Sequence, residues 1–150
     1  MRGVRIEIRE LHAGDEAVLA SAPARQVFDD ELDIAATRQF LADPHHHIVV
    51  ALDEGVVVGF ISAVRYHHPD KPAPELWLNE VGVAATHHRR AIGKELMAAI
   101  LDVGRRHGCT EAWVLTDRAN EAANRLYASV VGAEAPEECL MYSFPIVPER

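Results

Sequence analysis

The chain has 150 residues, 49% of them hydrophobic and 25% charged, and a formal net charge of −8. That is the size of one domain with a real core, here 1–150. No apolar run reaches the about 18 residues a bilayer requires, and so acidic a chain repels nucleic-acid phosphates, so neither membrane nor nucleic acid is an expected partner. Cys109 and Cys139 lie too far apart to suggest a disulfide framework or a zinc site, and Met1–Glu10 alternates charge with apolar residues unlike a signal peptide. A reducing cytoplasm is the expected compartment.

The elements read in chain order as a mixed α/β domain. Arg5–Arg9 alternates as a strand, and Asp15–Val27 has the pattern of a helix. Phe28–Ile34 is an acidic connection before a short helix, Ala35–Leu41. Ile48–Leu52 and Val56–Ser62 are β-rich runs joined by Asp53-Glu54-Gly55, which suits a tight hairpin. His67–Pro74 holds three of the eight prolines and reads as a loop, and Glu75–Val83 as a strand. A helix follows to about His107, with Ile92, Leu96, Met97, Ile100 and Leu101 at helical spacing and Gly108 as its stop. Ala112–Thr116 is a short strand, Asn120–Val130 a helix, and Met141–Ile146 a closing strand. The order β-α-α-β-β-β-α-β-α-β gives an antiparallel front and a βαβ back.

Charge is spread unevenly. Residues 1–86 carry 7 Lys/Arg against 14 Asp/Glu, while residues 87–150 carry 8 against 9. The positive charge of the second part is concentrated where the strand ending Val81-Gly82-Val83 runs through His88-Arg89-Arg90-Ala91-Ile92-Gly93-Lys94 into a helix. The first turn of a helix leaves N–H groups unpaired, and the helix dipole adds to their pull on an anion. Small residues at Ala91 and Gly93 let a phosphate come close to the backbone. Basic residues at a helix N-terminus oppose the dipole, so the pattern makes sense with a bound anion.

This segment resembles the acetyl-CoA pyrophosphate loop of the GNAT superfamily, Gln/Arg-x-x-Gly-x-Gly/Ala. His88 stands at the Gln/Arg position, Ala91 at the first Gly and Gly93 at the last. The resemblance extends from about Val49 to Ile146: Leu76–Val83 is similar to the family's central strand, and Asn120, Ala123, Asn124, Leu126 and Tyr127 to its late Asn-x-x-Ala-x-x-Leu-Tyr helix. It implies a GNAT-type fold, a central, mostly antiparallel sheet with splayed strands flanked by helices. It also implies acetyl-CoA (coenzyme A) as cofactor. The N–H groups of Val81 and Val83 would hold the pantetheine arm, with Gly82 between them part of the same cofactor-binding strand, and His88 through Lys94 the pyrophosphate. Relatives that pair their sheets make a homodimer an expectation.

Acetyl transfer to an amine needs a base for the ammonium proton, donors for the oxyanion and an acid for the leaving thiolate. Glu80 is the expected base, all the more if burial beside Trp77 or Val58 raises its pKa. Tyr127, which matches the family tyrosine, is the expected acid. Asn120 reads equally as a donor to pantetheine and as a helix N-cap. The clusters His45-His46-His47, His67-His68 and His87-His88 lack metal-ligand spacing, so no metal is expected and they read as surface-loop histidines, with His67 or His68 able to line a cleft.

The strand Glu75–Val83, the pair Thr116-Asp117 and Glu137-Glu138 followed by Met141-Tyr142-Ser143-Phe144 resemble the small aminoglycoside 3-N-acetyltransferases. That resemblance implies a cationic small-molecule amine as substrate, an aminoglycoside acetylated at its 3-amino group. Asp29, Asp30, Glu31, Glu80, Asp117, Glu137 and Glu138 are the carboxylates expected to hold its ammonium groups. A polyamine, a protein amine or another small amine would use the same chemistry. A non-catalytic acyl-CoA sensor is the reading of a different class.

Overall fold

The computed structural model describes residues 5–23, 25–130 and 139–147. One five-stranded sheet runs β1 (Glu7–Glu10), β2 (His46–Asp53), β3 (Val56–Tyr66), β4 (Glu75–Val83) and β5 (Glu111–Val114), in that spatial order. The first four are antiparallel neighbours, and β4 pairs with β5 in parallel. Only the last connection needs a crossover helix. The β2–β3 turn places Glu54 and Gly55 at φ 49° and 81°, the left-handed geometry that matches the twist of a two-residue hairpin.

That crossover is α3 (Ile92–Arg106), after α1 (Glu16–Ala20) and α2 (Ile34–Ala42) and before α4 (Glu121–Ser129). On α3, Ile92, Leu96, Met97, Ile100, Val103 and Gly104 are buried along one stripe. The stripe meets Val49, Val57, Ile61, Leu76 and Leu78 in the main core. Gly104 allows close packing there: a Cβ would stand 3.1 Å from Leu76 Cδ2. Beyond α3, Gly108 at φ 80° lets the Cys109 N–H reach back to the Gly104 carbonyl at 2.9 Å and close the helix. On the other face of the sheet, α1 and α2 pack over β2 and β3.

Three sequence expectations are corrected. The first helix is Glu16–Ala20, not Asp15–Val27, because Pro23 has no N–H to continue it and disfavours helical geometry in its predecessor. The fifth strand ends at Val114, not Thr116, where its pairing with β4 stops. Met141–Ile146 forms no strand: an alternating pattern becomes one only where a neighbour takes its N–H and C=O groups, and Pro145 offers no N–H. Leu140, Met141, Tyr142, Phe144, Ile146 and Val147 are exposed.

Candidate active site

β4 has two halves. Glu75, Leu76, Trp77 and Leu78 pair with Glu111, Ala112, Trp113 and Val114, and beyond Leu78 the two strands part. Pairing with β3 continues to Val83. The Ala84 N–H donates to the Val58 carbonyl of β3 at 2.8 Å. Strand alternation therefore turns the N–H groups of Val83 and Val81 to the opposite, unpaired edge, and that of Gly82 toward β3. The pairing of β4 with β5 thus ends at Leu78, and Val81 and Val83 turn their N–H groups to the unpaired edge.

At the end of this cleft the chain makes one 3-10 turn, Ala85–His87, and enters α3. Arg89 and Ala91 lie at φ 63° and 58°, left-handed conformations that cost an L-residue about 1–2 kcal/mol each. No side chain caps α3, so its first N–H groups face the cleft end without a capping partner. Arg89, Arg90 and Lys94 are exposed around it. The His88 ring nitrogen Nε2 lies 2.8 Å from the Val83 carbonyl, folding the turn back on the strand. A Cβ at Gly93 would meet the Leu126 side chain at 3.1 Å, so the glycine also lets α4 pack closely on α3. Sequence reading also missed the tether of this turn: His87 Nε2 is 2.7 Å from Asp53 Oδ2, and Thr86 Oγ1 is 2.8 Å from His87 Nδ1.

Packing of Leu126 against Gly93 brings α4, and with it Tyr127, to the start of α3. Tyr127 is half-buried, and burial pushes its phenol pKa up, which keeps it protonated. Asn120 serves as the N-cap of α4: its side chain accepts from the Ala123 N–H at 3.1 Å. Asn124 Nδ2 donates to the carbonyls of Asp117, Arg118 and Asn120, fastening the loop before α4.

Glu80 is exposed rather than buried beside Trp77 or Val58. A register shift explains its direction. Ala63 opposes Leu78 and Ser62 opposes Glu80, so Asn79 is the extra residue. Leu78 points into the core with α3, and Glu80 stands on the opposite face, shared with Trp77. On that face a Cβ at Gly82 would lie 2.4 Å from the Val27 carbonyl and 3.0 Å from Phe60. Phe28 stacks on Phe60 with ring centroids 4.1 Å apart. Val27 and Phe28 thus dock the acidic connection on β3 and β4, and Asp29, Asp30 and Glu31 follow directly, all exposed. Asp30 and Glu31, with Leu19, Phe28 and Leu32, line a cavity of about 530 Å³ between α1 and α2. Asp117 lies in the loop three residues past β5, not at a strand end. Glu137 and Glu138 lie outside the described residues.

The histidines are not all surface-loop residues. His46 and His47 belong to β2, and His47 is buried against His107 with ring centroids 4.9 Å apart. Burial, with the neighbouring His107 and Arg65 charges, pushes His47 down to about 4. His68 Nε2 lies 2.9 Å from Glu75 Oε2. Among the described residues no three His, Cys, Asp or Glu side chains gather as a metal site.

A family model described as Acetyltransferase (GNAT) family matches residues 8–133. The chain belongs to the GNAT acetyltransferases. It is 36% identical over 104 residues to N-alpha-acetyltransferase RimI of Mycobacterium tuberculosis, covering 69% of this chain but only 63% of RimI. It is also 31% identical over 104 residues to the aminoglycoside N(6′)-acetyltransferase type 1 of Serratia marcescens, covering 67% of this chain and 71% of that protein. An aminoglycoside acetyltransferase from an uncultured soil metagenomic sample, in complex with sisomicin, superposes with a TM-score of 0.81 at 19% identity, covering 93% of this chain and 97% of that one. The GNAT fold, a five-stranded mixed sheet flanked by helices, is thus shared by sequence and by shape.

Proposed function

We propose that this GNAT enzyme transfers the acetyl group of acetyl-CoA to an amino group of an aminoglycoside, with Glu80 as general base and Tyr127 as general acid. The observation that carries the reading is a one-sided β4 edge, uncapped at its α3 end, beside a docked acidic segment. The cleft fits acetyl-CoA: Val81 and Val83 offer N–H groups along an unpaired edge, and the start of α3 with Arg89, Arg90 and Lys94 suits a pyrophosphate. When bound, acetyl-CoA supplies an activated thioester with a thiolate leaving group. Glu80, open to solvent on the face across from α3, accepts the ammonium proton directly or through a water. The Val81 N–H would be the donor for the thioester oxygen. Tyr127, kept protonated by burial, would supply the proton that the leaving thiolate takes up.

The acceptor reading rests on charge. Asp29, Asp30 and Glu31 stand on the Glu80 face, and a polycationic sugar is well held by scattered carboxylates. Asp117, and outside the described residues Glu137 and Glu138, are further candidates. The relatives from Serratia marcescens and Salmonella typhimurium are N(6′)-acetyltransferases, at 31% and 25% identity. The 6′-amino group is therefore the position we favour, in place of the 3-amino group expected from the sequence. A protein N-terminal amine is the second reading, favoured by the 36% identity to RimI.

Thiol release from acetyl-CoA with sisomicin, spermidine and short peptides as acceptors separates these. Release with sisomicin, and acetylation at its 6′ nitrogen by mass and NMR analysis, supports the proposal. Release with peptides alone transfers it to the RimI-like reading. Tight acetyl-CoA binding without release to any acceptor sinks catalysis.

A further inference from the structure

The chain's two tryptophans, Trp77 and Trp113, meet on the Glu80 face of the sheet. They are paired in register on β4 and β5, and their rings stack with centroids 5.5 Å apart and planes 7° from parallel. Each sits between residues turned the other way: Leu76 and Leu78 on β4, Ala112 and Val114 on β5, all packed against the core. That Leu-Trp-Leu and Ala-Trp-Val alternation was the available sequence signal for a shared outer face.

The polar atoms of this cluster are drawn together at one end. Trp113 Nε1 donates to the Tyr66 hydroxyl, and Tyr66 stands edge-on to Trp113 at 88°. The Tyr66 hydroxyl donates to Glu75 Oε2 at 2.8 Å, where His68 Nε2 also lies at 2.9 Å, and Lys71 Nζ donates to Oε1 at 3.1 Å. Hydrogen bonds from His68, Tyr66 and Lys71 hold the Glu75 carboxyl at about 2, so the anchor stays ionised. Trp77 and Trp113 remain half-buried, because α1 and α2 cover β2 and β3.

We propose that Trp77 and Trp113 form a stacking platform for a second ring of the acceptor, buttressed by Tyr66 and Glu75 and lying along β4 from Glu80. This rests on the aminoglycoside reading above. Trp77 is three residues from Glu80, about 10 Å along a strand. A multi-ring acceptor whose reacting amine reaches Glu80 extends its next ring to that position. An indole face suits both the C–H face of a sugar and an ammonium group beside it. The platform selects for ring-bearing cations over linear ones such as spermidine.

The test is steady-state kinetics of Trp113→Ala and Trp113→Phe with sisomicin, beside a fluorescence titration of the wild type. Trp113→Ala should raise the sisomicin KM roughly tenfold. It should leave the acetyl-CoA KM and the spermidine KM unchanged, and Trp113→Phe should recover most of the loss. Because both tryptophans stand in the platform, sisomicin should shift or quench the intrinsic emission whether or not the alanine variant folds. An unchanged sisomicin KM in a folded Trp113→Ala, or emission indifferent to saturating sisomicin, overturns the platform while leaving the aminoglycoside activity standing. A wild type that does not acetylate sisomicin overturns the activity itself, and the platform with it.

Discussion

The two halves of β4 do opposite work with the same backbone. From Glu75 to Leu78 the strand is paired on both sides, and its outward side chains, Trp77 and Glu75, are locked by stacking and hydrogen bonds. From Asn79 to Val83 it is paired only with β3, and what it presents is the backbone itself, with Glu80 beside it. A fully paired strand offers side chains and no spare hydrogen bonds. A half-paired one offers N–H groups to an extended ligand but needs its neighbours held by something else. Here that support is the docked Val27–Phe28 segment on one face and α3 on the other.

The contrast is tested most strongly at Glu80. Glu80→Gln should lower kcat about a hundredfold, the low end of general-base contributions, and flatten the acidic limb of the pH–rate profile. Unchanged kinetics would remove it from the mechanism. Tyr127→Phe should reduce kcat too, by less than the Glu80 change, with still less effect on acetyl-CoA binding by calorimetry. Weakened binding at unchanged kcat would reduce the tyrosine to a packing residue.

Gly82 is where the open half depends on the acidic connection. Gly82→Ala must displace the Val27 carbonyl, which would be 2.4 Å from the new Cβ. A loss of about 1–3 kcal/mol in denaturant unfolding is expected, with a raised acceptor KM. Wild-type stability and KM would show that the segment moves aside without consequence. In the paired half the corresponding handle is Glu75. Its carboxyl pKa is depressed from 4.5 to about 2, so its stabilisation is present above 4.5 and is lost as pH falls toward 2. The gap in melting temperature between wild type and Glu75→Gln should therefore be open at neutral pH and close over that window. A gap independent of pH would mean that the carboxylate's charge does not matter.

How much was legible in advance follows the same division. β4 was read from Glu75 to Val83, bounds the structure matches, because its pattern of core leucines and valines is local. The basic turn into α3 was legible for the same reason. The direction of Glu80 was not: it depends on the extra residue at Asn79, which only the partner strand reveals. Nor was the burial of His47, or the Asp53–His87 tether, since each depends on a residue far along the chain. Asn120 was poised between capping and ligand binding, and the structure shows the cap, its side-chain oxygen accepting from the Ala123 N–H. The alternation in Met141–Ile146 suggested a strand, but pairing is a property of two segments.

The parallel seam between β4 and β5 also bears on how the molecule assembles. β2, β3 and β4 form a continuous meander whose contacts are close in sequence, whereas Glu75 meets Glu111 only after α3 has been laid down. Closing that span carries a larger entropic cost, so the seam belongs among the late events of folding. The wall of the cleft is then finished after the meander has formed. Acetyl-CoA should slow unfolding while leaving the refolding rate unchanged, which stopped-flow measurements with and without the cofactor would read directly. Acceleration of refolding would instead put the seam in the nucleus.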